Sequence, residues 1–210
     1  CLSRGLGDVY KRQEWHIDTN PSLGKMTQNA LIAAKYVVIP AIGENWAVQG
    51  MITLAQELMN MRTSNRNLMI AGIVFARIRY ANHREVMSIT KDITIPQINA
   101  LLENARLKDP RAKKQLEGLS MSCFDSTISE GADIGNATFT RANLLLSYPL
   151  SPIALEHWQC YIELMTRIGG SHLEQSIQYY NQLVEQYTAE TEKKEAKKKQ
   201  KLTPSGKRRY

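Results

Sequence analysis

The stretch that decides the fold is Asp18-Thr19-Asn20-Pro21-Ser22-Leu23-Gly24. It follows a short apolar segment containing Trp15 and Ile17, which we expect to be a strand that ends at Asp18. Asp, Asn, Pro and Ser each favour turns for local reasons, so the stretch predicts a turn between a strand and a helix. By itself, the D-x-x-P-S pattern indicates nothing more than that turn.

Apolar runs and helical spacings alternate downstream of the turn. We expect a helix at 26–34, a buried strand at 36–39 that ends at Pro40, an amphipathic helix at 46–61 and a second strand at 68–75. An alternation of strands and helices predicts an α/β fold with a mostly parallel, doubly wound sheet flanked by helices.

Beyond residue 77 the pattern is less regular. We expect helices at about 95–105, 132–142, 152–168 and 173–188, and a short strand at 121–124. Proline near the start of the first of these helices stands at a tolerated position.

Composition suits one globular domain, because the chain has 210 residues and is 43% apolar. The net charge of +7 is unevenly distributed. Residues 190–210 carry nine basic and three acidic side chains (+6), and residues 1–13 carry three basic and one acidic (+2). Residues 14–189 carry fifteen basic and sixteen acidic (−1), so the body is electrically balanced.

Two cysteines lie in the body of the chain. Cys123 and Cys160 stand singly in apolar surroundings and lack C-x-x-C spacing. Such cysteines are usually buried thiols, and we therefore expect a reducing cytoplasm.

The Asp18–Gly24 stretch resembles the second nucleotide-binding motif of the ParA/MinD family of P-loop ATPases. Further matches follow in chain order and extend the resemblance over about 14–168; they lie at 27–34, 36–40, Glu44, Trp46, Gly50, 124–128 and Ala137. The resemblance implies the carboxyl-terminal portion of a P-loop NTPase sheet.

In that family the motif follows a glycine-rich phosphate loop with a lysine, and the seventeen residues before Asp18 contain no such loop. Residues 3–13 resemble the translation of a transposase-type sequencing adapter, so we treat residues 1–13 as non-native. We expect a truncated ParA-like ATPase domain at 14–170, a helix at 171–189, and a basic, disordered tail at 190–210. Without its phosphate loop, this chain is expected to be inactive as an ATPase.

The resemblance implies ATP and Mg²⁺ as cofactors of the intact protein. It assigns Asp18 to Mg²⁺, usually through a water, and it assigns γ-phosphate sensing and placement of the attacking water to Thr19, Asn20, Pro21 and Ser22. It also places an adenine-side loop at Ala76 and Arg77, and a second adenine-side segment at Ile128, Ser129 and Glu130. The sequence departs from the family at Ala76, where Asn or Thr is frequent, and at Ser129, where Pro is common.

Family members bind DNA non-specifically as ATP-dependent dimers. The resemblance therefore implies a homodimer, non-specific DNA, a ParB-like centromere-binding partner and a nucleoid-associated protein of the bacterial cytoplasm. Two basic clusters could contact phosphates: the first is Arg106, Lys108, Arg111, Lys113 and Lys114, and the second is the tail with Lys197, Lys198, Lys199, Arg208 and Arg209. The alternatives are a solvated helix face and a solubilising tail.

Three functions fit these features. The first is a ParA-type ATPase that partitions a plasmid, mobile element or chromosome region. The second is a MinD-like positioning ATPase, although a membrane role is disfavoured because no apolar residues oppose the basic ones in the tail. The third is a non-catalytic DNA-binding or interaction protein on the same fold.

Overall fold

The computed structural model describes residues 15–20, 22, 24–42, 45–79, 81–108 and 110–202. The elements within those ranges, in chain order, are α1 (Lys25–Ala33), β1 (Tyr36–Ile42), α2 (Asn45–Met61), β2 (Met69–Ile78), α3 (Ala81–Ile89), a π-helical turn (Thr90–Thr94), α4 (Ile95–Lys108), α5 (Pro110–Gln115), β3 (Cys123–Ser129), α6 (Ala132–Phe139), α7 (Leu144–Ser147), α8 (Pro152–Ile168) and α9 (Leu173–Leu202). Strands and helices alternate over the first half, as the apolar pattern predicts.

The three strands form one parallel sheet in the order β1-β2-β3. β1 runs beside β2 from the pair Tyr36–Met69 to the pair Ile42–Ala76, with an irregularity between Val37 and Val38. β2 then pairs with β3 as far as Ile78 and Ser129. The predicted α/β class with a parallel sheet is therefore confirmed.

Helices cover both faces of the sheet. On one face, Ile73 and Phe75 of β2 pack into a core with Leu58 of α2 and Ile98 of α4. On the other face, Val74 packs with Phe124 and Cys160 of α8, so consecutive β2 residues serve opposite layers, as the pleat of a strand requires. This layering makes the sheet doubly wound.

Glycine is required at position 72, where the register of β1 and β2 shifts. Its φ is +149°, and a Cβ there would lie 2.6 Å from the Phe124 ring and 2.7 Å from Nη1 of Arg167. The absent side chain leaves room for Arg167, whose guanidinium carbon stands 4.3 Å from the centre of that ring.

Two arginines hold the loop between α5 and β3. Arg62, 3% exposed, donates to the carbonyls of Leu68 (2.7 Å) and Glu117. Arg106 donates to Leu116 O at 2.7 Å and to Leu119 O at 2.6 Å. Guanidinium groups thus satisfy loop carbonyls that no strand or helix pairs.

Two sequence predictions about strands are wrong. Residues 15–17 form no strand, and Trp15 and Ile17 are 66% and 55% exposed, because a strand needs a paired neighbour and none of the described strands supplies one. β1 does not end at Pro40 but continues to Ile42. Proline is tolerated because β1 is an edge of the sheet that the described strands form.

The predicted helix at 152–168 is confirmed as α8, which ends at Gly169 with a φ of +68°. The end predicted for the next helix is wrong, because α9 continues through the first part of the expected disordered tail to Leu202. Residues 190–202 contain no Gly or Pro and are rich in Lys and Glu, which are good helix formers. The remaining tail, 203–210, lies outside the described residues.

Candidate functional site

The Asp18 turn is held to the first turn of α1 by Thr27. The Thr27 hydroxyl lies 2.6 Å from the carbonyl oxygen of Ser22 and 3.3 Å from Oδ1 of Asn20. Oγ of Ser22 donates to the same Asn20 oxygen at 3.2 Å. Thr27 lies in the segment 27–34 that carries the resemblance, but the resemblance implies no role for it. The signal that could have identified Thr27 is its position on α1, about one turn beyond the residues predicted to sense the γ-phosphate.

Asp18 is exposed and has no hydrogen bond or ion pair with any residue that the structure describes. Thr19 is also exposed, and Pro21 lies outside the described residues. A single free carboxylate suits Mg²⁺, which usually takes one or two protein carboxylates and completes its shell with phosphates and water. Within the described ranges, no group of three His, Cys, Asp or Glu side chains could hold a metal ion alone.

The two predicted adenine-side segments lie next to each other at the carboxyl ends of β2 and β3. Ile78 pairs with Ser129, and the Glu130 N–H donates to the carbonyl of Ile78 at 3.2 Å. The Glu130 carboxylate lies 3.9 Å from Nη2 of Arg77 and 3.8 Å from Nη1 of Arg79. Carboxyl ends of parallel strands are where α/β proteins bind ligands.

Arg77 has a φ of +59°, in the left-handed region that side chains other than glycine seldom adopt. It is exposed, and Ala76 beside it is half-buried. A strained residue at the end of a parallel strand is an observation that supports a functional role for this edge.

Glu156 fixes the second adenine-side segment from α8. Its carboxylate accepts the N–H of Ser129 at 2.6 Å and the Ser129 hydroxyl at 2.8 Å. Glu156 is not among the residues that the sequence predicts for the site. The available signal was a pair of glutamates, Glu156 and Glu163, seven positions apart and hence on one face of the predicted helix at 152–168.

Glu163 repeats this arrangement farther along the same helix. It accepts the N–H of Asp125 at 2.9 Å, the hydroxyl of Ser126 at 2.6 Å and Nη2 of Arg167 at 2.7 Å. Burial raises the pKa of the Glu163 carboxyl, but hydrogen bonds from Ser126, Asp125 and Arg167 outweigh burial and hold the pKa below its ordinary value. α8 therefore covers the outer edge of β3 with the carboxylates of Glu156 and Glu163.

The structure separates the predicted basic residues into two kinds. Arg106 is partly buried and its guanidinium binds loop carbonyls and Glu103. The exposed members are Lys108, Arg111, Lys113, Lys114, Lys197 and Lys198. The structure does not describe the side chain of Lys199. Arg208 and Arg209 lie outside the described residues.

Both body cysteines are buried thiols, as predicted. Burial raises the pKa of Cys123 to about 11 and also raises the pKa of Cys160. Over the part of the chain that is described, none of the helices has the length and apolar character needed to span a membrane.

Comparison with known proteins finds that residues 6–70 match a protein family described as AAA domain. Two uncharacterized proteins of Mycobacterium tuberculosis, from strains CDC 1551 / Oshkosh and H37Rv, are each 36% identical over 91 residues, which is 41% of this chain and 29% of the relative. Protein IncC of Escherichia coli is 33% identical over 86 residues, or 38% of this chain and 24% of IncC. The match thus spans less than a third of each relative. The part of the chain with the Asp18 turn, α1 and β1 is similar to a P-loop NTPase domain of the ParA/MinD-like type.

Proposed function

We propose that this chain is part of a ParA-type ATPase that partitions a plasmid, mobile element or chromosome region. The observation that carries the proposal is the match of residues 6–70 to the AAA domain family, because that range contains the Asp18 turn and the elements that follow it. The similarity to Protein IncC over 86 residues supports the same class.

Asp18 is the residue that would hold Mg²⁺, through a water, in the intact protein. Its carboxylate is exposed and unpaired among the described residues, so it is free to accept a hydrogen bond. When bound, Mg²⁺·ATP supplies the phosphoryl group that is transferred to water. Thr27, through Ser22 O and Asn20 Oδ1, would limit the positions open to the turn that senses the γ-phosphate.

Glu130 and Arg77 would border the adenine side. The Glu130 carboxylate and the Arg77 guanidinium lie 3.9 Å apart. Their side chains are 37% and 66% exposed, respectively, so both groups can also bind other partners. Glu156 would keep the Ser129 backbone in place while Glu130 changes partner. The phosphate cradle and its lysine are absent from the 210 residues, so we expect this chain alone to bind nucleotide weakly and not to hydrolyse it.

The intact protein would act as an ATP-dependent homodimer on non-specific DNA in the bacterial nucleoid, released when a ParB-like partner stimulates hydrolysis. The exposed lysines of α9 would contact DNA phosphates. In the other basic cluster, Arg106 binds carbonyls of its own chain and would take no part.

The experiment on catalysis uses the protein encoded by the complete gene. We expect ATP hydrolysis, and we expect Asp18→Asn to lower turnover about a hundredfold or more while ATP still binds. The control is Asp92→Asn, which changes an exposed aspartate bonded to Ser88. Equal turnover of Asp18→Asn and the parent protein would contradict the assignment of Asp18.

The experiment on DNA measures fluorescence anisotropy of a labelled duplex at several salt concentrations. Lys198→Gln should weaken binding and reduce the salt slope by about 0.9 for each DNA phosphate that the protein no longer neutralises. Arg84→Gln removes one exposed positive charge far from α9 in sequence and is the matched control. Identical salt slopes for the two variants would refute a role for α9 in DNA binding.

A further inference from the structure

A cavity of about 410 Å³ lies at the amino-terminal ends of β1 and β2. It is lined by Lys35 after α1, Arg66 in the loop before β2 and Glu117 in the loop before β3, and we call it the basal cavity. Its volume is within the range of about 300–1,000 Å³ that small-molecule sites occupy. The ten residues of β2 span about 30 Å from Met69 in this cavity to Ile78 beside the predicted adenine-side segments. The basal cavity is therefore separate from the site proposed for ATP.

The walls of the basal cavity are held by bonds from side chains to the backbone. Asn65 donates to the carbonyls of Leu31 at 2.9 Å and Ala34 at 2.6 Å, so it joins the loop between α2 and β2 to the end of α1. Arg62, which is 3% exposed, donates to the carbonyl of Leu68 at 2.7 Å. These bonds fix the loop before any ligand binds, which lowers the entropic cost of binding.

Three exposed donor side chains line the basal cavity. The side chains of Lys35, Arg66 and Asn67 make no hydrogen bond or ion pair within the part of the chain that the structure describes. Lys35 lies beside the ring of Tyr36, with Nζ 5.0 Å from the ring centre. An ammonium, a guanidinium and an amide together offer about ten N–H donors. Such a set of donors favours a ligand with several acceptor oxygens.

The basal cavity carries an excess of positive charge. Lys35, Arg62 and Arg66 contribute three positive charges, and Glu117 contributes one negative charge, which leaves +2. The carboxyl ends of α1 and α2 lie nearby and each add about −0.5, so about +1 remains. Burial lowers the pKa of Arg62, and the positive charge of Arg106 lowers it further, whereas the Glu117 carboxylate raises it. A bound anion would relieve repulsion that the folded chain already carries.

An apolar surface lies beside these donors. Ile32 and Met69 line the same cavity, and their side chains are 46% and 38% exposed. A ligand that carries an apolar group next to an anionic group would cover both kinds of surface and remove the apolar part from water.

We propose that the basal cavity binds a small organic phosphate, that is, a phosphate monoester with an apolar group. The phosphate accepts from Lys35, Arg66 and Asn67, and the apolar group packs on Ile32 and Met69. A phosphate monoester carries a charge of about −1.5 to −2 at neutral pH, which matches the lining side chains more closely than the single charge of a sulfate ester. A guanidinium binds two phosphate oxygens at once, so Arg66 orients the ligand. This binding requires neither ATP nor its hydrolysis.

Isothermal titration calorimetry of the 210-residue chain tests the proposal with three probes. Phenyl phosphate has both groups of the proposed ligand, phenyl sulfate is the monoanion of the same shape, and inorganic phosphate lacks the apolar group. We expect saturable binding of phenyl phosphate at one site, and about tenfold weaker or no binding of the other two probes. Equal affinities for phenyl phosphate and phenyl sulfate would overturn the proposal.

The matched variants each remove one exposed cation. Arg66→Gln and Lys35→Gln should each weaken the binding of phenyl phosphate about tenfold. Lys25→Gln removes a cation from the other end of α1 and is the control, with the affinity of the parent chain. Ile32→Ala should weaken the binding of phenyl phosphate and leave that of inorganic phosphate unchanged. If Arg66 only stabilises the carboxyl ends of the helices, Arg66→Gln will lower stability without changing affinity, and that outcome would overturn the proposal.

Amide chemical shifts in NMR spectra locate the bound probe without any variant. Phenyl phosphate should shift the amide signals of Arg66, Asn67 and Met69 in a saturable way. The signals of Arg77 and Glu130, at the carboxyl ends of the strands, should not move. Shifts confined to Arg77 and Glu130 would place the phosphate in the proposed nucleotide site and would reject the basal cavity.

Discussion

Replacing Glu163 with glutamine removes the charge from a carboxylate that joins α8 to β3. The carboxylate accepts the N–H of Asp125, the N–H and hydroxyl of Ser126, and the guanidinium of Arg167. A glutamine retains one acceptor oxygen, but its amide nitrogen then faces donors. At least two charge-assisted hydrogen bonds disappear, and such bonds contribute roughly 1.5–3 kcal/mol each when fully buried.

The Glu163 side chain is 20% exposed, so the lower end of that range applies. We expect the free energy of unfolding to fall by about 3 kcal/mol, measured by urea denaturation with far-UV circular dichroism. Glu174→Gln, at an exposed position early in α9, is the control and should change stability by less than about 0.5 kcal/mol. A Glu163→Gln variant as stable as that control would refute the reasoning.

The loss of stability caused by Glu163→Gln should depend on pH. Because the pKa of Glu163 is lower in the folded chain than its ordinary value of 4.5, its contribution is complete above about pH 4.5 and is lost as the pH falls through the folded pKa. The stability difference between the parent chain and Glu163→Gln should therefore shrink below pH 4.5. A constant difference down to pH 3 would show that the carboxylate charge is not responsible.

Three further outcomes follow from single contacts. Arg106→Ala should lower the free energy of unfolding by about 2–3 kcal/mol because loop carbonyls lose their donor, whereas Lys108→Ala should change it by less than about 0.5 kcal/mol in the same urea assay. Cys123, with its pKa raised to about 11, should resist iodoacetamide at pH 8 until the chain is unfolded, as mass spectrometry would show. Gly72→Ala should lower the thermal midpoint, with a loss of about 1–3 kcal/mol, because its Cβ would meet the Phe124 ring.

Sequence reasoning succeeded where one local signal dominates. α8 was predicted at 152–168 and observed at Pro152–Ile168, because proline marks its start and Gly169 its end. It failed where the outcome depends on a neighbour. The apolar residues Trp15 and Ile17 suit a strand, but a strand forms only with a hydrogen-bonded partner. Pro40 predicts the end of β1, but proline is tolerated within an edge strand, and the edge position of β1 is a property of the whole sheet.

In the candidate site, too, the sequence predicts which segments take part but not the contacts that depend on how elements pack. The resemblance named Ala76, Arg77, Ser129 and Glu130 from two distant segments, and the structure brings these segments together across β2 and β3. The sequence could not show that Glu156 would bind Ser129, because that contact depends on how α8 lies over the sheet. Nor could it show that Arg106 faces its own chain rather than solvent.

The length of α9 has a hydrodynamic consequence. Its 30 residues correspond to about 45 Å at 1.5 Å per residue. Only its first part packs on α8, where Tyr179 meets Trp158 and Tyr180 accepts a bond from Gln159, and residues 192–198 are exposed. A rod on a small body raises the frictional ratio, so the 23.8 kDa chain should sediment more slowly than a sphere of its mass. Small-angle X-ray scattering should likewise show a distance distribution with a long tail, set by the part of α9 that stands clear of the domain.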